Sequence, residues 1–246
     1  MKTSNKMLLG LAVTIVVLTI FQLTSLKSLL KTNNIKGNGN PATSEEPVSA
    51  FEKINCAAGA EVCYHAGDEY RAVVTIDENL KEYTEILTEN NVLNIGFKPG
   101  YSISPAKFTV DVYCPVLTGV SMSGNGSFRN TDKIIAPAFE TKISGSGKID
   151  ATVECDNYSA KITGSGKITI NGTCNDANIS ISGSGEFNGN ELNTKNATVT
   201  ITGSGNANIN VADNLKAKIT GSGNINYSGE PKVDSNVSGS GRIRSL

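Results

Sequence analysis

The stretch Lys161-Ile162-Thr163-Gly164-Ser165-Gly166-Lys167-Ile168-Thr169-Ile170 decides the fold, because it is one copy of a pattern that returns along the second half of the chain. The preceding copy is Lys142-Ile143-Ser144-Gly145-Ser146-Gly147-Lys148-Ile149. Seven Gly-x-Gly units start at Gly124, Gly145, Gly164, Gly183, Gly203, Gly221 and Gly239, spaced by 21, 19, 19, 20, 18 and 18 residues. The middle residue is serine in every unit but the first, which has Asn125. The flanks repeat too. Ile143, Ile162, Ile181, Ile201, Ile219 and Val237 each lie two residues before the first glycine. Ile149, Ile168, Phe187, Ala207, Ile225 and Ile243 follow it by four.

Apolar and polar residues alternate around each unit, which is the period of a strand, and a repeat near twenty residues predicts one solenoid coil per unit. A single coil has too little apolar surface to fold. Stacking at about 4.8 Å turns the isolated isoleucines into a continuous column, each side chain contributing roughly 1.5–3 kcal/mol when fully buried. The predicted class is therefore all-β: a single-stranded parallel β-helix with an N-terminal β cap. The six-residue step from Ile143 to Ile149 suits a left-handed hexapeptide helix, but the drifting spacings favour the right-handed form.

Composition agrees with a thin stack rather than a globule. Of 246 residues 25 are glycine, aromatics are 6%, and tryptophan is absent. A net charge of −1 argues against nucleic acid, whose phosphates demand a basic surface. Upstream, Phe51 to Pro115 is expected to hold the cap and first coils. Its clearest strands are Arg71–Ile76, Val92–Phe97 and Lys107–Tyr113, and Glu78–Thr88 reads either as a short helix or as a loop leading into a strand.

Lys2 and Lys6 precede an apolar run from Met7 to Leu23, the layout of an export segment. The run is long for a cleaved signal, and no small-x-small site follows it. A membrane anchor over residues 1–31 is favoured, with a cleaved signal as the alternative. Residues 32–50, rich in Asn, Gly, Pro and Ser, read as a flexible linker with a mean reach of about 24 Å. The repeats, 116–246, complete a domain running over 51–246. The expected location is extracytoplasmic and membrane-anchored, with residues 7–23 as the membrane contact.

The chain resembles the bacterial head GIN domain family of auto-transporter adhesins, common in Bacteroidetes, with its Gly-Ser-Gly-x-Ile signature. Besides the repeats, the resemblance rests on Phe51-Glu52-Lys53-Ile54, Val92-Leu93-Asn94-Ile95 and Cys114-Pro115-Val116-Leu117, and it spans Phe51 to about Arg244. It implies a right-handed parallel β-helix and an adhesin-like role. Because the sequence stops at Leu246, autotransport through a barrel of its own is not expected.

Catalysis is not expected. Enzymes on β-helices need acids or bases converging on one face. The column five residues after each first glycine reads Asp150, Thr169, Asn188, Asn208, Asn226 and Arg244, and the one two residues earlier along the strand reads Lys148, Lys167, Glu186, Asn206, Asn224 and Arg242. Neither gathers a catalytic set. His65 is the sole histidine, so His-rich metal sites are excluded, and with Cys63 nearby it is assigned a structural role. A calcium β-roll would need an aspartate in every repeat, and only Asp150 fits. No metal or cofactor is expected.

The expected binding surface is a double column of small hydroxyls: Ser144 and Ser146, Thr163 and Ser165, Ser182 and Ser184, Thr202 and Ser204, Thr220 and Ser222. A glycan or another cell-surface polymer is the expected partner. A structural envelope spacer and a carbohydrate-active enzyme are the competing functions. Five cysteines leave at least one unpaired within the chain. Cys155 and Cys174 each sit nine residues before a first glycine, so they share a station on successive coils, either as a disulfide or as two packed small residues.

Overall fold

The computed structural model describes residues 33–246, so the expected membrane segment Met7–Leu23 lies outside the described residues. Among the described residues, no helix is long and apolar enough to cross a membrane. The chain forms a parallel β-solenoid of about seven turns.

The N-terminal part holds β1 (Asn33–Lys36), β2 (Pro41–Glu46), β3 (Lys53–Cys56), β4 (Glu61–Ala66) and β5 (Arg71–Asp77). A 3-10 helix at Glu78–Tyr83 leads into β6 (Thr84–Glu89), so the segment left open by its sequence is a helix and then a strand. After β7 (Val92–Phe97), β8 (Tyr101–Ser104) and β9 (Phe108–Cys114) come β10 (Gly119–Gly124), β11 (Ser127–Asn130) and β12 (Ile134–Ile135). The repeats run through β13 (Ala138–Gly145), β14 (Lys148–Gly164), β15 (Lys167–Gly183), β16 (Glu186–Gly203) and β17 (Asn206–Gly221). They end in β18 (Asn224–Ser228), β19 (Lys232–Gly239) and β20 (Arg242–Ser245).

Chain order and stacking order differ at the N-terminal end. β3 and β4 pair in parallel with β10 and β11 on one side, and with β7 and β9 on the other. The coil of β7 and β9 is therefore the outermost, although it comes later in sequence. β5 closes it by pairing antiparallel with β9, and β6 by pairing antiparallel with β7. This reversal blunts an edge that would otherwise offer unpaired backbone groups to other chains.

Residues 33–46, read from sequence as flexible linker, form strands instead. β1 pairs with β8, and β2 adds antiparallel to the free side of β5. An edge strand needs backbone pairing rather than an apolar stripe, so composition alone hides it. The turn between the two strands is fastened by buried Asp77, which accepts from Gly39 N at 2.7 Å and Ala106 N at 2.7 Å. Asn79 accepts from Asn38 N at 3.0 Å and donates to Lys36 O at 2.9 Å.

The expected columns form the core. Ile143, Ile162, Ile181, Ile201 and Ile219 are direct register partners and all are buried. Ile149, Ile168, Phe187, Ala207 and Ile225 make the second buried column. Val237 in the last coil is 42% exposed, since no described coil covers it.

The repeated glycines have two separate causes. Gly164 has φ +111, and a Cβ there would lie 2.6 Å from Gly145 O in the coil before. At Gly166 a Cβ would strike Ile143 Cγ2 of that coil. One glycine makes the corner and the other clears room for the isoleucine column beneath it.

Candidate functional site

Two polar surfaces of the described residues are candidate sites, and the repeats build the first. Ser144, Thr163, Ser182, Thr202 and Thr220 are successive register partners. They precede the corner glycine and point away from the isoleucine column, so each is exposed. Ser146, Ser165, Ser184, Ser204 and Ser222 are likewise exposed at the corner itself. Their backbone N–H groups are occupied by the preceding coil, as where Ser165 N donates to Gly145 O at 2.9 Å and Ser184 N to Gly164 O at 2.9 Å. The hydroxyls are thus carried on a hydrogen-bonded backbone ladder.

Several members of the columns on the following strand are paired along the stack instead. Lys167 Nζ meets Glu186 Oε1 at 2.8 Å, Asn224 Nδ2 donates to Asn206 Oδ1 at 2.9 Å, and Asn226 Nδ2 donates to Asn208 Oδ1 at 2.8 Å. Side chains bonded to their equivalents one coil away do not converge on a reacting atom.

The second surface lies on the outer face of the first coils. Cys63 and His65 alternate with the core residues Val62 and Tyr64 along β4 and so share its other face, where neighbouring side chains bury Cys63 and leave His65 half-buried. Strand register sets Asp111 beside Cys63 and Tyr113 beside His65 on the β9 side, and Arg129 beside Cys63 on the β11 side. His65 Nε2 lies 3.0 Å from Asp111 Oδ1, and His65 Nδ1 lies 3.0 Å from Thr131 Oγ1. The imidazole stacks on the Tyr113 ring at 4.7 Å between centroids, and the Arg71 guanidinium covers Tyr113 at 4.0 Å. Burial pushes the Cys63 thiol up; Arg129 opposes this, while Asp111 and Asp132 add to it. The sequence placed Cys63 and His65 together, but Asp111 joins them only through the β4–β9 pairing.

Cys155 and Cys174 are direct register partners, as their shared station predicts, and all five cysteines are free thiols in this structure. They border a groove of about 720 Å³ whose wall includes Ile135, Pro137, Thr194 and Ala212. Ile135 is 66% exposed there.

This architecture recurs in solved structures. A putative lipid binding protein from Parabacteroides distasonis is 28% identical, with a TM-score of 0.76 over 87% of this chain and all of that one. A putative adhesin from Parabacteroides merdae is also 28% identical, with a TM-score of 0.69 over 87% of this chain and all of the other. A putative adhesin from Bacteroides fragilis, 19% identical, shares the fold at a TM-score of 0.82 over 86% of this chain and all of its own. None of the curated proteins compared with the chain matches it. The family described as putative auto-transporter adhesin, head GIN domain, matches residues 50–231, the span that holds the coils and most of their Gly-Ser-Gly corners. The chain belongs to that family.

Proposed function

We propose that the chain is a non-enzymatic, adhesin-like binding module of the cell envelope that holds a linear surface polymer, such as a glycan, against its paired hydroxyl columns. The observation that carries this reading is the register itself. Thr163, Ser182 and Thr202 repeat at the strand spacing of about 4.8 Å, and Ser165, Ser184 and Ser204 run beside them. A rigid grid of donors and acceptors needs little ordering on binding, so many weak contacts add up. The family's adhesin description supports the same role.

Met7–Leu23 would hold the module at the membrane, on the extracytoplasmic side. A mature protein that begins beyond Leu23 would remove that tether from the reading. The direct test of the function is a glycan array probed with residues 33–246, which keeps the β1 and β2 strap. Binding to extended polysaccharides that strengthens with chain length is expected. Uniform absence of binding would leave the structural-spacer reading in its place.

A second reading rests on the groove beside Ile135. Its mixture of Ile135, Pro137, Ala212 and thiol surface would accept an apolar chain, and one of the similar structures is named a putative lipid binding protein. Displacement of a fluorescent fatty acid, lost in Ile135→Asp, would favour it over the polymer.

A further inference from the structure

We propose that Cys63, His65 and Asp111 form a binding site for a divalent cation of the zinc class. Their ligand atoms, one thiol sulfur, one imidazole nitrogen and one carboxylate oxygen, all lie within 4.8 Å of one another. Two come from β4 and the third from its register partner strand β9, so the backbone ladder holds them on one rigid face.

The hydrogen bonds around His65 say which nitrogen faces the cation. Thr131 Oγ1 has one hydrogen and two oxygen acceptors for it, Asp132 Oδ2 at 3.0 Å and Tyr64 O at 3.3 Å. Its lone pairs then receive the Nδ1–H of His65 at 3.0 Å. A neutral ring bonded in this way turns the Nε2 lone pair toward Asp111 Oδ1, 3.0 Å distant. Two lone pairs facing each other repel unless something positive sits between or beside them. A proton or a shared cation satisfies both, and the third donor, Cys63, within 4.8 Å of the other two, favours the cation. Fixing one imidazole nitrogen by a hydrogen bond while the other binds metal is the usual arrangement of such sites, and here Thr131 and Asp132 provide it. Stacking of Tyr113 against the ring holds the same orientation.

The donor set suits zinc better than calcium or magnesium, which prefer oxygen alone. On binding, the Cys63 S–H proton leaves to solvent and a sulfur–metal bond forms. Thiolate and Asp111 carboxylate then balance the two charges of the ion. Three protein ligands leave a fourth position for water or for a group on a bound partner. Arg71 and Arg129 stand nearby, and Asp132 offsets them in part.

The test uses the full-length protein in mild detergent, reduced and stripped with a chelator, and titrated with Co²⁺. A thiolate-to-cobalt charge-transfer band that saturates at one equivalent and is bleached by Zn²⁺ is expected. Cys63→Ser should abolish the band, whereas Cys155→Ser, remote from the cluster, should keep it. His65→Gln and Asp111→Asn should each weaken cobalt binding, and Thr131→Val, a positioning residue, should weaken it by roughly 10–100-fold. Circular dichroism of the metal-free variants separates loss of the site from loss of the fold. The site is overturned if no band develops, in which case a proton bridges His65 and Asp111. It is equally overturned if the band survives Cys63→Ser.

Discussion

Gly164 packs so closely on Gly145 that a Cβ on Gly164 would lie 2.6 Å from the Gly145 carbonyl oxygen. The two residues are register partners at the corner of successive coils, and both have positive φ. Gly164→Ala therefore meets a strained backbone angle and a backbone atom that cannot move without displacing its own coil. A loss of at least about 1–3 kcal/mol is expected, from the backbone conformation alone. Thermal unfolding should show a clear fall in Tm for Gly164→Ala. Ser165→Ala, exposed beside it, should stay within about 0.5 kcal/mol of the parent.

Tyr158 places its hydroxyl inside the solenoid, 2.7 Å from Thr141 Oγ1, and both residues are buried. Removing the phenol oxygen leaves the Thr141 hydroxyl with only a 3.5 Å contact to Ser159 O. Tyr158→Phe should destabilise by about 1–3 kcal/mol, the cost of an unsatisfied buried hydroxyl. The double variant Tyr158→Phe, Thr141→Val should recover most of that. Equal losses in the single and double variants would show that packing, not the hydrogen bond, sets the cost.

Asp77 governs the acid limit of the N-terminal strap. Burial pushes its carboxyl up, but backbone N–H donors from Ala106, Gly39 and Lys107 outweigh burial and hold it below the usual carboxylate range. A lowered folded-state pKa means the carboxylate stabilises the fold above the unfolded value near 3.9, and the contribution is lost as pH falls through the lower folded value. Hydrogen exchange should find β1 and β2 loosening first on acidification below about pH 4. In Asp77→Asn the strap should be looser at neutral pH, and the additional acid step should vanish.

Burial raises the Cys155 thiol to about 12, with the neighbouring Cys174 and Asp156 adding to it. Thiolate is the reacting form, so alkylation of Cys155 in the folded protein at neutral pH should be slow despite its partial exposure. Its rate should climb about tenfold per pH unit through the alkaline range, as long as the fold persists. Because Cys155 and Cys174 are register partners, any bridge formed under mild oxidation should join these two. Peptide mapping that finds Cys155 joined to Cys56, Cys63 or Cys114 would contradict this.

The hydroxyl columns are tested by bulk and charge. Lysines at Ser165, Ser184 and Ser204 together should abolish polymer attachment while leaving Tm nearly unchanged, since all three side chains are exposed. Attachment that survives the triple substitution would move the binding surface to the first coils.

The repeats are legible because each Gly-Ser-Gly unit states the same local rule: an inward isoleucine, a corner, another inward side chain. A periodic fold needs only that rule and a spacing, so the isoleucine register, the Cys155–Cys174 pairing of stations and the exposure of Thr163 and Ser165 all follow from the chain as written. The first hundred residues obey no such repeat. That β7 and β9 stack outside β3 and β4, that β5 and β6 turn antiparallel to close the end, and that Pro41–Glu46 adds a strand through backbone pairing with β5 are decided by long-range pairing. Side-chain pattern says little about which backbone a strand meets. For the same reason Asp111 reaches His65 only in the folded chain, because the two residues lie 46 apart in sequence and meet through the register of β4 with β9.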